Sequence, residues 1–379
     1  MIKKYVVGID IAKKDFKACL IQNTEENIKI KSSGNFSNNA DGLKRFNIWV
    51  SKHLQKEKSI IYVMEATGTY HEQLAWFLFD QKQTIHVVLP NRAKAYMISL
   101  GQKSKNDKVD AKGLAMMGAT QKLDVWAPIS KKIYNLRGLT RHLEDLQSLR
   151  TALKNQRQAI EYGMHEVKEV TRSIDQTIKT IDKQIEKCKQ QIHKVIDADE
   201  KLSSKVSHMI SIKGVSTLTA AVILSETNGF SLIKNIKQLV SYAGYDVREN
   251  QSGMSSGKTR ITKKGNAHIR RAMHLPAFNM VRYDVKTFSD LYHRVYNKSG
   301  IKMKAYVAIQ RKLLCLMYTL WKKNEPFNPK YTISEKQESM LLPSIDLKGV
   351  ESKTVSKNIE TALDELPCDQ SPEVLFSIS

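Results

Sequence analysis

The chain has 379 residues, with 61 Lys and Arg against 38 Asp and Glu, and its formal net charge is +23. At roughly 100–200 residues per domain, this length allows two or three domains. Hydrophobic residues make up 41% of the sequence, which excludes a disordered or fibrous chain. Its apolar stretches fall short of the roughly 20 residues that cross a bilayer, and its first residues lack the pattern of a signal peptide. We therefore expect neither a membrane segment nor secretion.

The positive charge is typical of a protein that binds nucleic acid, because neutralising phosphates releases counterions. The alternatives are a merely lysine-rich protein and one that binds an anionic membrane surface. The cysteines lie far apart in the sequence: Cys19, Cys188, Cys315 and Cys368. This spacing argues against a zinc site and a disulfide framework, and it is typical of a reducing cytoplasm, where we expect the protein to be.

Residues 1–130 alternate short β-like runs with helical ones, which predicts an α/β domain. Apolar runs predict three strands, at Tyr5–Asp10, Ser59–Glu65 and Thr84–Leu89. An amphipathic helix is predicted between the second and third strands, and a further helix over Val109–Met117.

Four acidic residues occupy unusual positions in this domain. Asp10 and Glu65 each end a predicted buried strand, where a carboxylate is costly unless it is paired or binds a metal. Asp107 and Asp110 lie three residues apart at the start of a helix, so both can face the same side. Together the four would make an oxygen-ligand site for Mg²⁺ or Mn²⁺. The alternative is that they are ordinary strand-end residues and helix N-terminal acids favoured by the dipole.

Residues 131–205 have the pattern of long helices. A first apolar stripe runs through Leu136, Leu139, Leu143, Leu146 and Leu153. A second has the a/d spacing of a coiled coil: Ile174, Ile178, Ile181, Ile185, Cys188, Ile192 and Val195. Ser173 is predicted to cap the second helix, with Gln176 completing a capping box. We expect two helices that either fold into a hairpin or join subunits.

Residues 206–330 are predicted to be mainly helical, with a tight turn at Gly214 and with Asn266 capping the helix that follows it. The run Gln251–Arg260 is rich in Ser and Gly, and small residues let a backbone approach a substrate closely. A serine becomes a nucleophile when a metal or basic groups stabilise its alkoxide, and Ser252, Ser255 and Ser256 compete for that role. The alternative is that this Ser-Gly stretch is only a flexible loop, which is far more common. The basic residues that could bind phosphates here are Lys258, Arg260, Lys263, Lys264, Arg270 and Arg271.

The last part of the chain, residues 331–379, is predicted to be a flexible acidic tail. From Ser334 to Ser379 there are four Lys and nine Asp and Glu, a net charge of −5, so that residues 1–333 carry +28. The tail therefore masks part of the positive charge of the body.

Several short motifs occur in an order that resembles one known family. In the first half they are Val7–Lys13, Glu65–Tyr70 and Asp107–Ala111; in the second half they are Gly214, Tyr242–Gly244, Gln251–Gly253, Lys263–Asn266 and Arg270–Arg271. This series, spread over about residues 5 to 330, resembles the IS-one-ten family of insertion-sequence transposases, also called DEDD transposases, to which Piv-type DNA invertases are related.

The resemblance implies a RuvC-like, ribonuclease-H-type fold for the first domain, a helical coiled-coil hairpin, and a mainly α-helical transposase domain. It implies a Mg²⁺-binding tetrad of Asp10, Glu65, Asp107 and Asp110, with Ser252 as the nucleophile of a composite site built from two domains. It also implies donor and target DNA as substrates, a DNA-linked phosphoserine intermediate, a structured noncoding guide RNA, and a homodimer or homotetramer assembled through the coiled coil.

The residues leave three classes of function open. The leading hypothesis is an insertion-sequence transposase or, with the same chemistry, a site-specific DNA invertase. The second is a Holliday-junction-type nuclease that uses water as the nucleophile, in which the serine loop only binds DNA. The third is a non-catalytic nucleic-acid-binding protein whose acidic residues are structural.

Overall fold

A computed structural model of the chain describes residues 2–24, 27–54, 59–101, 106–165, 167–248, 251–252, 255–256 and 260–328. The predicted acidic tail and Lys258 lie outside these residues. The chain divides into two compact units, residues 1–128 and a second unit that begins at Ile129. Within the described ranges, no helix is both long and apolar enough to cross a membrane.

The first unit is a five-stranded mixed sheet covered by helices. Its elements are β1 (Ile2–Ile11), β2 (Asp15–Thr24), β3 (Ile28–Ser37), α1 (Ala40–His53), β4 (Ile60–Glu65), α2 (Glu72–Asp80), β5 (Thr84–Val88), α3 (Pro90–Ser99) and α4 (Asp107–Thr120). The strand order is β3-β2-β1-β4-β5. The first three strands in sequence pair antiparallel, while β4 pairs parallel with β1 and with β5.

The central strand β1 is buried on both faces, because successive side chains of a strand point to opposite sides of the sheet. Tyr5, Val7 and Ile9 pack into the cluster that includes side chains of α1 and α2. Val6 faces the other way, into the cluster with α4. The predicted α/β class of this unit is confirmed, and its mixed sheet fits the predicted ribonuclease-H type.

The second unit is mainly helical, as predicted. Its elements are α5 (Lys131–Glu161), α6 (Lys168–Asp197), α7 (Glu200–Ile210), α8 (Thr217–Glu226), α9 (Ile236–Ala243), β6 (Val247–Arg248), β7 (Gln251–Ser252), β8 (Ser255–Ser256), β9 (Arg260–Ile261), α10 (Ala267–Ala272), α11 (His274–Arg282), α12 (Lys286–Ser299) and α13 (Lys302–Lys323). Side chains from α5 to α13 share one hydrophobic core. The turn between α7 and α8 places Gly214 at φ +95°, which favours glycine.

Helices α5 and α6 lie against each other in antiparallel order. Arg157 pairs with Asp175, and Arg150 pairs with Asp182, both at 2.6 Å. The stripe predicted on α6 is largely buried within the chain, while its coiled-coil character and its role in oligomerisation stay predictions. The predicted cap at Ser173 is wrong, because α6 already begins at Lys168 and Ser173 lies inside it.

Candidate active site

The four predicted carboxylates line one pocket of the first unit. Asp10, Glu65, Asp107 and Asp110 surround a cavity of about 300 Å³, together with Lys17 and other residues. The parallel strands β1 and β4 pair up to Ile9 and Met64. Asp10 and Glu65 are the next residues of the two strands, so they lie side by side at the same edge of the sheet. The strand ends therefore bring together two carboxylates that are 55 residues apart in the sequence.

The other two carboxylates reach the pocket because α4 packs closely on β1. A Cβ atom added to Gly8 would lie 2.1 Å from the Ala111 carbonyl oxygen and 2.1 Å from the Ala115 nitrogen, so the helix backbone occupies the space of a missing side chain. The Asn106 side chain caps α4 by accepting a hydrogen bond from Val109 N at 2.9 Å. Asp107 and Asp110 thus lie in the first turn of a helix held against β1.

The carboxylates of this pocket repel one another. Burial, together with the charges of Asp110, Asp107 and Glu65, raises the pKa of Asp10 to about 6, and the charge of Lys17 opposes this rise. Lys17 stands opposite Asp10 in the β1–β2 register, and its ammonium group donates a hydrogen bond to Asp107 Oδ2. The acidic pocket therefore already contains one positive charge, the ammonium group of Lys17.

The chemistry of this donor set fits a divalent metal. Carboxylate oxygens are the ligands that Mg²⁺ and Mn²⁺ prefer, and a cation would relieve the repulsion that raises the pKa of Asp10. As the side chains stand, no three His, Cys, Asp or Glu in the described ranges are close enough to hold one ion. A cation bound to Asp107 would compete with the Lys17 ammonium, which already donates a hydrogen bond to that carboxylate.

The predicted nucleophile lies in a short β-structured segment of the second unit. The Ser252 backbone is in β7, directly opposite Ser255 of β8, and its side chain lies outside the described part of the structure. The strands that flank this pair in the sequence, β6 and β9, also pair antiparallel with each other. Asn266 caps α10 by accepting from Ile269 N at 3.1 Å, as the sequence predicts.

The predicted phosphate-binding residues divide into two groups. Arg260, Lys263 and Lys264 are exposed. Arg270 donates through Nη1 to the Ala243 carbonyl at 2.8 Å. Arg271 donates to Glu144 Oε1 at 2.8 Å and to Ser148 Oγ at 3.0 Å, so both arginines already hold protein groups.

Two residues of the structure, Lys17 and Glu226, are not predicted from the sequence. Lys17 went unnoticed because β2 was not predicted, and without β2 nothing aligns this lysine with Asp10. Glu226 is buried, although it begins a polar stretch of the sequence at the end of the largely apolar helix α8. A carboxylate separated only by Ser225 from the apolar stretch Ala220–Leu224 is the signal that could have found it.

The sequence matches two models of transposase families. Residues 7–166 match a model described as a transposase, of the DEDD type named after IS110, and residues 206–293 match one described as "Transposase IS116/IS110/IS902 family". The chain is also 30% identical over 331 residues to the pilin gene-inverting protein of Moraxella bovis. That alignment covers 87% of this chain and 99% of the relative, and the Moraxella lacunata protein of the same name gives the same figures. The chain belongs to the IS110 family of transposases. Membership makes it a DNA-recombining enzyme, as the resemblance of its motifs predicted.

Solved structures similar to this chain are more distant. Thermus thermophilus RuvC is 11% identical, with the match covering 32% of this chain and 99% of RuvC at a TM-score of 0.26. A Ppx/GppA family protein of Aquifex aeolicus is 11% identical over 85% of this chain, at a TM-score of 0.21. The family assignment rests on the sequence matches.

Proposed function

We propose that this transposase cuts and rejoins DNA through a covalent serine intermediate, with Ser252 as the nucleophile and a divalent metal, Mg²⁺ or Mn²⁺, held by Asp10, Glu65, Asp107 and Asp110. The observation that carries the proposal is the convergence of these four carboxylates on one pocket of about 300 Å³. Four neighbouring carboxylates repel one another, so bringing them together is unfavourable unless they bind a cation. A site that cleaves phosphodiesters uses such carboxylates to hold its metal ions.

Each reaction step exchanges one phosphodiester bond for another. The Ser252 hydroxyl loses its proton, and Oγ bonds to the scissile phosphorus while one phosphorus–oxygen bond to a deoxyribose breaks. The released sugar oxygen takes up a proton. In the second step, a sugar hydroxyl of another strand attacks the phosphoserine, restoring a DNA phosphodiester and the free serine. Because the number of phosphodiester bonds is conserved, no nucleotide cofactor is needed.

The roles of the remaining residues follow from charge. When bound, the metal supplies positive charge that stabilises the phosphorane-like transition state. Asp10 and Glu65, fixed by strand ends, provide the rigid half of the tetrad, and Asp107 and Asp110 bring the helical half. The exposed cations Arg260, Lys263 and Lys264 are proposed to bind the DNA backbone beside the serine, and Lys258 is proposed to join them. Arg270 and Arg271 would take part where DNA displaces their present protein partners.

Two biological outcomes use this chemistry. Transposition of an insertion sequence is our first proposal, because both family models describe transposases. Site-specific inversion is the second, because the Moraxella relatives are named for inverting a pilin gene. A mobile-element boundary in the DNA flanking the gene would favour the first, and a single invertible segment would favour the second.

We further propose a structured guide RNA and a homo-oligomer as partners. The net charge of +23 supports binding to polyanions, of which RNA is one. Transcripts from the DNA beside the gene should bind with nanomolar affinity in a fluorescence-anisotropy assay, and unrelated RNA of equal length should bind more weakly. For the oligomer, light scattering of the chain with and without DNA would give the subunit number.

Covalent capture on nicked DNA tests the proposed chemistry. We expect the wild-type chain with Mg²⁺ to form a protein–DNA adduct that survives denaturation, and S252A to form none. S255A is the matched control, because Ser255 of β8 lies opposite Ser252 of β7, and it should retain the adduct. Loss of the adduct in S255A with retention in S252A would reassign the nucleophile. Cleavage by S252A without any adduct would instead support a nuclease that uses water.

A further inference from the structure

Glu226, at the end of α8, carries an unusual buried charge. Its side chain is 1% exposed, and in the described ranges it is the one Asp, Glu, Lys or Arg that is buried. Arg141 of α5 donates to both of its carboxylate oxygens, from Nε at 2.8 Å and from Nη2 at 3.0 Å. Asn266 Nδ2 donates to Oε2 at 2.7 Å. Each carboxylate oxygen therefore has at least one strong donor.

The charge state of Glu226 follows from these contacts. Burial by itself raises the pKa of this carboxyl, but the hydrogen bonds from Arg141 and Asn266 and the charge of Arg141 outweigh it and hold the pKa below its ordinary value. Glu226 is thus a carboxylate at neutral pH. A buried ion pair of this kind is often no more stabilising than apolar residues of the same size, so fold stability alone does not account for it.

The partners of Glu226 are the two ends of the segment that holds Ser252. The Tyr242 hydroxyl donates to the Glu226 main-chain carbonyl at 2.8 Å. Asn266 N donates to the Tyr242 carbonyl at 2.7 Å, while the Asn266 side chain bonds to the Glu226 carboxylate. One residue therefore contacts the chain where it enters the segment and where it leaves it. We call residues 242–266 the serine segment.

The two ends of the serine segment also touch each other directly. A Cβ atom added to Gly265 would lie 2.5 Å from Gly244 N and 2.6 Å from the Tyr242 carbonyl oxygen. Lys263 N donates to the Gly244 carbonyl at 3.1 Å. This contact leaves no room for a side chain, so a small shift of Asn266 would be passed to the backbone on both sides of the segment.

Helix α5 contacts both Glu226 and helix α10. Arg141 and Glu144 lie three residues apart, so both face the same side of α5. Glu144 accepts from His268 Nδ1 at 2.6 Å and from Arg271 Nη1 at 2.8 Å, both on α10. The long helix therefore holds α10 directly through Glu144, and it holds the serine segment through Glu226.

We propose that Glu226 is a positioning residue that fixes both ends of the serine segment against helix α5 and so sets where Ser252 stands. The inference rests on the proposed function in taking Ser252 as the nucleophile. It goes beyond that function by assigning the geometry of the serine to a buried carboxylate that touches no substrate. Displacing a reacting group by about 1 Å can slow a reaction by about 100-fold, so a loosened segment would lose rate rather than DNA affinity.

Two substitutions in the full-length chain separate this role from folding. E226Q keeps the size of the side chain and removes the charge that pairs with Arg141. N266S keeps a good helix cap for α10 and removes the amide that reaches Glu226. D182N is the matched control. Asp182 lies on α6 and pairs with Arg150, which is on α5 like Arg141, so this variant also removes an ion pair of α5 but on its face toward α6.

Three measurements are made on each variant: the dissociation constant for nicked DNA, the rate of adduct formation at saturating DNA, and hydrogen–deuterium exchange by peptide. We expect E226Q and N266S to slow adduct formation by about 10- to 100-fold, with DNA affinity within about twofold. Exchange should rise in residues 242–266 and stay unchanged in α5. D182N should resemble the wild type in rate and in the exchange of the serine segment.

Two results would overturn the proposal. One is an adduct rate within about twofold of wild type in both variants, and the other is an exchange increase spread over the whole helical unit, which would show a purely structural role. If the wild-type chain forms no serine adduct at all, the proposed chemistry fails. An exchange increase confined to residues 242–266 in E226Q would then still support Glu226 as the residue that holds this segment.

Discussion

Replacing Asp10 by Asn should stabilise the metal-free protein at neutral pH. The pKa of Asp10 is raised from 3.8 to about 6, so the folded chain binds this proton more tightly than the unfolded chain does. Stability from this group is therefore lost as the pH rises from about 4 through 6. At 1.36 kcal/mol per pKa unit the cost at neutral pH is at most about 3 kcal/mol. Because Asp10 is partly exposed, solvent screening reduces it to about 1–2 kcal/mol.

Urea unfolding in EDTA measures this effect. Three of the four tryptophans, Trp49, Trp76 and Trp126, lie in the first unit, so tryptophan fluorescence reports chiefly on the unit that holds Asp10. We expect D10N to exceed the wild type by about 1–2 kcal/mol at pH 7.5 and to match it near pH 4.

The control and the metal complete this test. D80N removes an exposed carboxylate at the end of α2 and should give no comparable pH-dependent gain. Added Mg²⁺ should stabilise the wild type and have less effect on D10N, because the metal binds only the folded tetrad. If D10N is less stable than the wild type in EDTA at pH 7.5, or if the difference is independent of pH, the repulsion inferred at Asp10 is wrong.

Three further predictions concern packing and charge. G8A should cost about 1–3 kcal/mol in urea unfolding and weaken Mg²⁺ binding, because a methyl group on β1 pushes α4 away; unchanged Mg²⁺ affinity by calorimetry would contradict this. R141M should cost about 3–5 kcal/mol, since it leaves a buried carboxylate without its cation. E226Q should cost less, because the side chain of Arg141 is 47% exposed and can be hydrated, and equal losses in urea unfolding would refute this asymmetry. K17M should bind Mg²⁺ several-fold more tightly by calorimetry, because the ammonium that competes for the acidic pocket is gone, and weaker binding would show that Lys17 supports the site instead.

The sequence predicted those parts of the first unit that depend on continuous apolar runs. β1, β4 and β5 are such runs, and the carboxyl ends of β1 and β4 located Asp10 and Glu65. β2 and β3 were not predicted. β3 in particular is a sheet edge with alternating exposed residues and few large apolar side chains. Since strand pairing is a long-range property, the position of Lys17 beside Asp10 could not be seen without the sheet.

In the second unit, local signals succeeded and long-range partners were missed. The cap at Asn266 and the turn at Gly214 are decided by their immediate neighbours, and both were predicted. The helix start at Ser173 was wrong, because α6 continues back to Lys168 and buries Thr171 on the same face. Arg271 looked like a free phosphate ligand because its partner Glu144 is 127 residues away in the sequence.

The most direct test of the central claim is to identify the residue of the protein to which DNA becomes covalently attached. After reaction with nicked DNA and Mg²⁺, nuclease treatment and proteolysis should leave a nucleotide remnant on the peptide that contains Ser252, and mass-spectrometric fragmentation should assign it to that serine. D10N, which lacks one carboxylate of the tetrad, should leave the same peptide unmodified. A remnant on any other residue, or full modification of Ser252 in D10N, would contradict the account.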